Sequence, residues 1–149
     1  MQTDEPDFAL LRAVVEQWIA AFNAHDVPSI VALYADDAEL SDSGMKHPRR
    51  GRAEIEHWFT WRFRSMPAIT YTSTNQLFAT DYAAVLWTTC GRSPRILGQA
   101  WLSRPFRVDG VSIFTIRDGH IQKQHGYYDH LSTVEQILPP LKWLLPVRL

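Results

Sequence analysis

The sequence predicts an α+β fold, and three observations carry that reading. Apolar residues recur at spacings of three and four through the first part of the chain, as one face of a helix requires. From Ile69 onward the composition turns to Thr, Tyr, Val and Trp in short alternating runs, which suit strands. Short turn signals, Thr80-Asp81 and Asp118-Gly119, separate those runs and favour an antiparallel meander. Helices first and strands afterwards indicate segregated α+β architecture rather than alternating β-α units.

In order, Phe8, Leu11, Val15, Trp18 and Phe22 share one stripe of a helix predicted over 7–24. His25-Asp26 interrupts it, and Asp26 caps a second helix that tolerates Pro28 in its first turn and carries Ile30, Leu33 and Tyr34. The chain then breaks at Asp36-Asp37, read as a helix stop and turn. It extends through Glu39, Leu40 and Ser41, with Asp42 at the end, and loosens at Ser43-Gly44. Gly51 precedes a third helix bearing Ile55, Trp58, Phe59 and Phe63, which Pro67 stops. Strands are predicted over 69–77 and 82–90, followed by a loop over 92–97 marked by Ser93-Pro94. Residues 99–116 read as mostly extended, Pro105 confining their first part to an edge or irregular segment. Asp109-Gly110 is either a hairpin turn or a bulge. A clearer turn over 117–120 joins 111–116 to 121–128, and Asp129 caps a last helix ending near 137. Pro139-Pro140 end it, leaving an apolar tail over 141–149 that must pack on this subunit or another. A curved, mostly antiparallel sheet wrapped around the long first helix makes a cone. Its mouth lies beside the stretch 33–52.

Bulk properties limit the possible functions. A chain of 149 residues, 46% hydrophobic, suggests a single domain with its core over about 8–138. A formal charge of -1 gives no reason to expect a nucleic-acid partner. The single cysteine, Cys90, can form neither an internal disulfide nor half a zinc site. An acidic N-terminus and the lack of any apolar run near ~20 residues point to a soluble, cytoplasmic protein away from membranes. Six tryptophans exceed what such a core needs, so some are expected to line a cavity.

Asp42 is the first candidate for chemistry. At the end of a short extended segment it either points into an apolar pocket as a general base or serves as a turn residue before Ser43-Gly44. Trp18, Phe22, Tyr34, Trp58, Phe59, Trp87 and Phe114 either line that pocket or form core. His120, His125 and His130 are spaced by five and share no face, so no metal site is expected. Lys46, His47, Arg49, Arg50 and Arg52 form a basic loop at the presumed mouth, either a solvated surface or an entry gate for a carboxylate or phenolate.

The run WIAAFNAHDVPSIVALYADDA starting at Trp18, GRAEI starting at Gly51, IRDGHI starting at Ile116 and the triplet Tyr127-Tyr128-Asp129 resemble the nuclear transport factor 2-like superfamily. Within it the chain is most similar to SnoaL-like polyketide cyclases and ketosteroid isomerases, over about 11–138. The resemblance implies the cone-shaped α+β barrel and places Asp42 where ketosteroid isomerases keep their base. Their oxyanion hole, a tyrosine on the first helix and a protonated aspartic acid on a late strand, falls here on Trp18 and Ser112. Both are hydrogen-bond donors of lower acidity. Epoxide hydrolases of the superfamily place an acid on the last strand where this chain has Gly126.

The hairpin register decides which residues surround Asp42. A three-residue loop with Gly119 left-handed sets Ser112 opposite Gln124, and puts Ser112, Phe114, Gln124, Gly126 and Tyr128 on the concave face. A two-residue loop slips every pair by one and sets His125 there instead. Superfamily pocket positions favour the first arrangement. The resemblance thus implies cofactor-free proton transfer next to a carbonyl of a hydrophobic polycyclic or polyketide-like substrate: isomerisation, cyclisation or dehydration. Asp42 would be the base, and Trp18, Ser112 or Gln124 would steady the enolate. Phe22, Tyr34, Trp58, Phe59, Trp87, Phe114, Tyr128, His47 and His125 would bind substrate. A non-catalytic ligand-binding or dimerisation domain of the same fold is the alternative, and a homodimer is expected in either case.

Overall fold

A computed structural model describes residues 8–95 and 98–138. The apolar tail and the Pro139-Pro140 stop lie outside them.

Three helices pack on the sheet, α1 (Ala9–Asn23), α2 (Val27–Ala32) and α3 (Gly51–Ser65), and the expected order of helices first and strands afterwards is broken, since two strands come between α2 and α3. The stripe of α1 buries Leu11, Val15, Trp18 and Phe22, as its spacing requires. Asp26 caps α2 by accepting the Ser29 N–H at 3.1 Å. Six strands follow the order β2 (Arg49–Arg50), β1 (Tyr34–Asp42), β6 (His120–Tyr128), β5 (Pro105–Arg117), β4 (Tyr82–Arg92), β3 (Thr70–Ala79). All neighbours are antiparallel except β1 and β6, which run parallel. The curved sheet folds over α1 and α3, and α4 (His130–Ile137) follows β6, capped by Asp129 through the Ser132 N–H at 3.0 Å. Among the described residues no helix is long and apolar enough to cross a membrane.

Several local expectations change. Tyr34 is not the last turn of α2 but the first residue of β1, and Asp36-Asp37 lie inside that strand. Both aspartates face solvent where the pairing of β1 with β6 is suspended between Tyr34 and Glu39, so no ladder is lost there. Arg52 braces the segment, donating to the Tyr34 carbonyl at 2.8 Å and pairing with Asp36 at 3.1 Å. Asp109-Gly110 is neither hairpin nor bulge but mid-strand in the continuous β5. Gly110 serves packing instead: a Cβ there would lie 2.5 Å from the Trp87 ring and 2.6 Å from the Tyr127 carbonyl.

The final hairpin corrects both register alternatives. Its loop is the two-residue Asp118-Gly119, both at positive φ (51° and 73°), the geometry an Asp-Gly pair favours. A bulge between Thr115 and Ile116 then leaves Gln122 unpaired and restores the face that the loop would have flipped. Ser112 therefore opposes Gly126, Phe114 opposes Gln124, and His125 opposes Ile113.

Candidate active site

A half-open cavity of about 60 Å³ lies between the inner sheet face and helices α1 and α3. Its helical wall is Trp18, Phe22, Trp58, Phe59 and Arg62, and its sheet wall includes Asp42, Tyr71, Trp87, Ser112, Gln124 and Tyr128. Strand alternation explains the second set. Leu40 and Asp42 sit beside Gln124 and Gly126 on the inner face, while Ser41 points outward. Gly126 leaves room for Asp42, since a Cβ there would stand 3.3 Å from the Asp42 Cβ.

Asp42 is half-buried, with Oδ1 accepting the Gly44 N–H at 2.7 Å and a long bond from the Tyr128 hydroxyl at 3.5 Å. Burial, then the charge of Asp42, pushes Tyr128 up to about 12, against the opposing effect of Arg62. Tyr128 is therefore a standing proton donor at neutral pH.

Deeper in, the polar groups form two short chains. Trp18 Nε1 donates to the Tyr34 hydroxyl at 3.0 Å, and that hydroxyl donates to Gln124 Oε1. The relay fixes the Gln124 carboxamide, so its NH₂ is the part left for the cavity. Separately, Trp87 Nε1 donates to Ser112 Oγ at 2.9 Å, leaving the Ser112 proton free to be given onward. Beside these, the Tyr71 hydroxyl is buried with no hydrogen bond of acceptable geometry among the described residues. Burial drives its ionisation well above the ordinary tyrosine range, with Ser112 opposing, so Tyr71 too stays a donor.

Five assignments change with this geometry. Trp18 lines the cavity with its ring, but its N–H is spent on Tyr34 and cannot serve as an oxyanion donor. Tyr34 and Phe114 are fully buried behind the wall rather than on it, because Tyr34 ends in the relay and Phe114 packs edge-on to Trp18 at 5.5 Å. His125 stands on the outer face, its Nδ1 2.6 Å from Ser41 Oγ and its ring 4.2 Å from Tyr127, because the bulge turns Gln124 inward. His47 is exposed on the loop and lines no part of the cavity.

Sequence reasoning missed Tyr71 and Arg62. The alternation Ile69, Tyr71 is visible as an inward-facing pair, and Arg62 lies one turn after Trp58 on the same face of α3. The Arg62 guanidinium makes no ion pair or hydrogen bond among the described residues and sits 5.5 Å from the Trp58 ring. Burial lowers its pKa, with Asp42 and then Tyr128 resisting that shift. Among the described residues no group of three or more His, Cys, Asp or Glu side chains is arranged to hold a metal ion.

This fold and pocket define a small α+β protein with a cavity inside its sheet, the nuclear transport factor 2-like arrangement. Residues 15–124 match the SnoaL-like domain, and the chain belongs to that family. A protein of Shewanella denitrificans, described as a proposed SnoaL-like polyketide cyclase, superposes with a TM-score of 0.76 at 13% identity, covering 86% of this chain and 96% of that one. A protein of Catenulispora acidiphila with a ketosteroid isomerase-like fold, bound to trimethylamine, superposes at 0.71 with 23% identity, covering 83% and 90%. TerC, crystallised with polyporic acid, gives 0.73 at 16% identity over 86% and 98%. Identities this low speak for a shared fold.

Proposed function

We propose that the protein is a cofactor-independent enzyme that moves a proton on a carbon next to a carbonyl, with Asp42 as the base. One observation carries this reading: a single carboxylate shares an aromatic cavity with a buried hydroxyl, that of Tyr71, which makes no hydrogen bond of acceptable geometry among the described residues. A substrate oxygen seated against Tyr71, Ser112 and the Gln124 NH₂ would meet donors where enolate charge develops. These groups replace Trp18 in the role the resemblance gave it. Isomerisation, aldol-type cyclisation and dehydration share this first step, and a polyketide-like substrate would present its reacting end to the cavity. The cavity is small, about 60 Å³, so the bulk of such a molecule stays outside it.

Deuterium exchange of α-protons in a panel of cyclic monoketones, whose spontaneous exchange at neutral pH is slow, followed by NMR in heavy water, tests the assignment without knowing the natural substrate. Asp42→Asn should slow exchange by about 10²–10⁴-fold, the usual worth of a general base, with binding nearly intact. An unchanged rate would remove Asp42 from the chemistry.

The small cavity also favours a second reading, a domain that holds a ligand or a partner chain without catalysis. On either reading we expect a homodimer through the outer sheet face. Leu86, Val111 and Tyr127 form one row across three strands there, and Leu77, Ala84 and Ile113 a second. Leu77 and Tyr127 are 59% and 52% exposed, much apolar surface for a monomer to leave wet. Light scattering at micromolar concentration should give twice the chain mass, and a monomer would count against the face.

A further inference from the structure

Arg62 is a cation that closes no ion pair among the described residues. Its side chain lines the cavity, yet no described carboxylate forms an ion pair with it, although every acid–base pair on the protein's surface that involves Arg50, Arg52 or Arg117 is closed at 3.2 Å or less. The Asp42 carboxylate shares the cavity and acts on Arg62 through space without closing a pair, and a guanidinium held partly out of water in that state is unfavourable unless a ligand completes it. A guanidinium presents a planar fork of N–H donors, and the group that matches it is a carboxylate.

Trp58 indicates where the rest of such a ligand would lie. It lines the inner cavity and also an outer groove of about 640 Å³ on α3, with Arg49, His57 and Trp61. Its ring has the Arg49 guanidinium at 5.4 Å and that of Arg62 at 5.5 Å, and Trp61 packs against it at 5.2 Å, itself 49% exposed. Glu54, the acid lining the groove, already accepts the Arg50 N–H at 2.8 Å. The inner cavity has room for a head group, and the outer groove has the size of a ligand site. Aromatic rings and cationic groups along it favour a flat, electron-rich body.

We propose that the ligand is a carboxylic acid with a planar unsaturated body, its carboxylate held by Arg62 and its body lying against Trp58 along the outer groove of α3. This rests on the site of the proposed function and names its substrate class, but it is a statement about binding and is tested as one.

Calorimetric titration of the full chain with 2-naphthoate and with neutral 2-naphthamide separates charge from shape. The acid should bind about tenfold tighter than the amide or better, the worth of a charge-assisted pair. Arg62→Met should bring the two to parity, while Arg62→Lys, which keeps the charge but not the fork, should retain part of the preference. Asp42→Asn should bind the acid as tightly or more so, since a like charge is removed. Equal affinity for acid and amide in the wild type, binding of neither, or a preference that survives Arg62→Met would each overturn the inference. The wild-type comparison needs no variant to fold. Turnover is not read, so a catalytically unaffected Asp42→Asn would sink the proposed reaction and leave the acid preference standing.

Discussion

The two walls of the cavity are built by different means, and the difference shows what each can do. The helical wall is aromatic and tightly interlocked, Trp18 meeting Phe22 at 5.3 Å and Phe22 meeting Phe63 at 5.1 Å, and its charged group, Arg62, closes no ion pair among the described residues. The sheet wall is polar and mostly pre-wired, its tyrosine, glutamine, serine and tryptophan side chains joined in short hydrogen-bonded chains. On the proposed reading, recognition of a ligand by shape and charge falls to the helices, and steadying of developing charge to the sheet. Tyr71 is the exception on the sheet side, as Arg62 is on the helix side. Each is the group its wall has not satisfied from within.

The largest effect that would break this comparison comes from the pre-wired chain. Tyr34→Phe removes one oxygen but strands two partners, Trp18 Nε1 and Gln124 Oε1, both on buried residues. Each orphaned group costs about 1–3 kcal/mol, and a urea denaturation midpoint should fall accordingly. A stability equal to wild type would mean that the relay is not a structural element.

A smaller effect concerns pH. Tyr34, Tyr71 and Tyr128 all have pKa values raised by burial, Tyr128 to about 12 from an ordinary 10.0. Between those two values the folded protein binds more protons than the unfolded chain, so stability must fall as pH rises. The contribution is whole below about pH 10 and is lost as pH climbs through about 12. Denaturation midpoints measured up that range should hold and then drop, with phenolate absorbance appearing as the protein unfolds. All five tyrosines ionising together near pH 10 in a protein that stays folded would contradict the burial of these three.

The walls also differ in how far the sequence discloses them. On α1 and α3 a single period of 3.6 residues sorts Trp18, Phe22, Phe59 and Phe63 to one side, and nothing downstream can change that sorting. On the sheet each side chain's face depends on the count of residues since the last turn, and a bulge changes that count. Gln122 is such an extra residue. The Asp118-Gly119 loop and the bulge each slip the pairing by one residue in the same direction, and a slip of two keeps every side chain on its face, which is why the concave set Ser112, Phe114, Gln124, Gly126 and Tyr128 can be read from the sequence although the pairing beneath it cannot. Gly110 misled for a related reason: an Asp-Gly pair reads as a turn, while the space it leaves is filled by Trp87 from the next strand. Long-range packing of that kind has no local signature.

The smallest expected effect on stability is the sharpest test of the division between the walls. Tyr71→Phe makes the same chemical change as Tyr34→Phe, in the same cluster of rings, with Trp18 at 5.1 Å and Trp87 at 5.5 Å from Tyr71. Here no partner is stranded, because the hydroxyl has none of acceptable geometry; the fold loses only an unsatisfied buried oxygen, and removing such a group is neutral or slightly stabilising. If that oxygen is kept for a ligand, α-proton exchange should fall by about 10²–10³-fold, the cost of losing one donor to a developing oxyanion. Stability and activity thus separate at Tyr71 and not at Tyr34. A Tyr71→Phe variant that loses stability with activity intact would show the hydroxyl to be a structural group, and the deep end of the cavity would then retain Ser112 and Gln124 alone as donors.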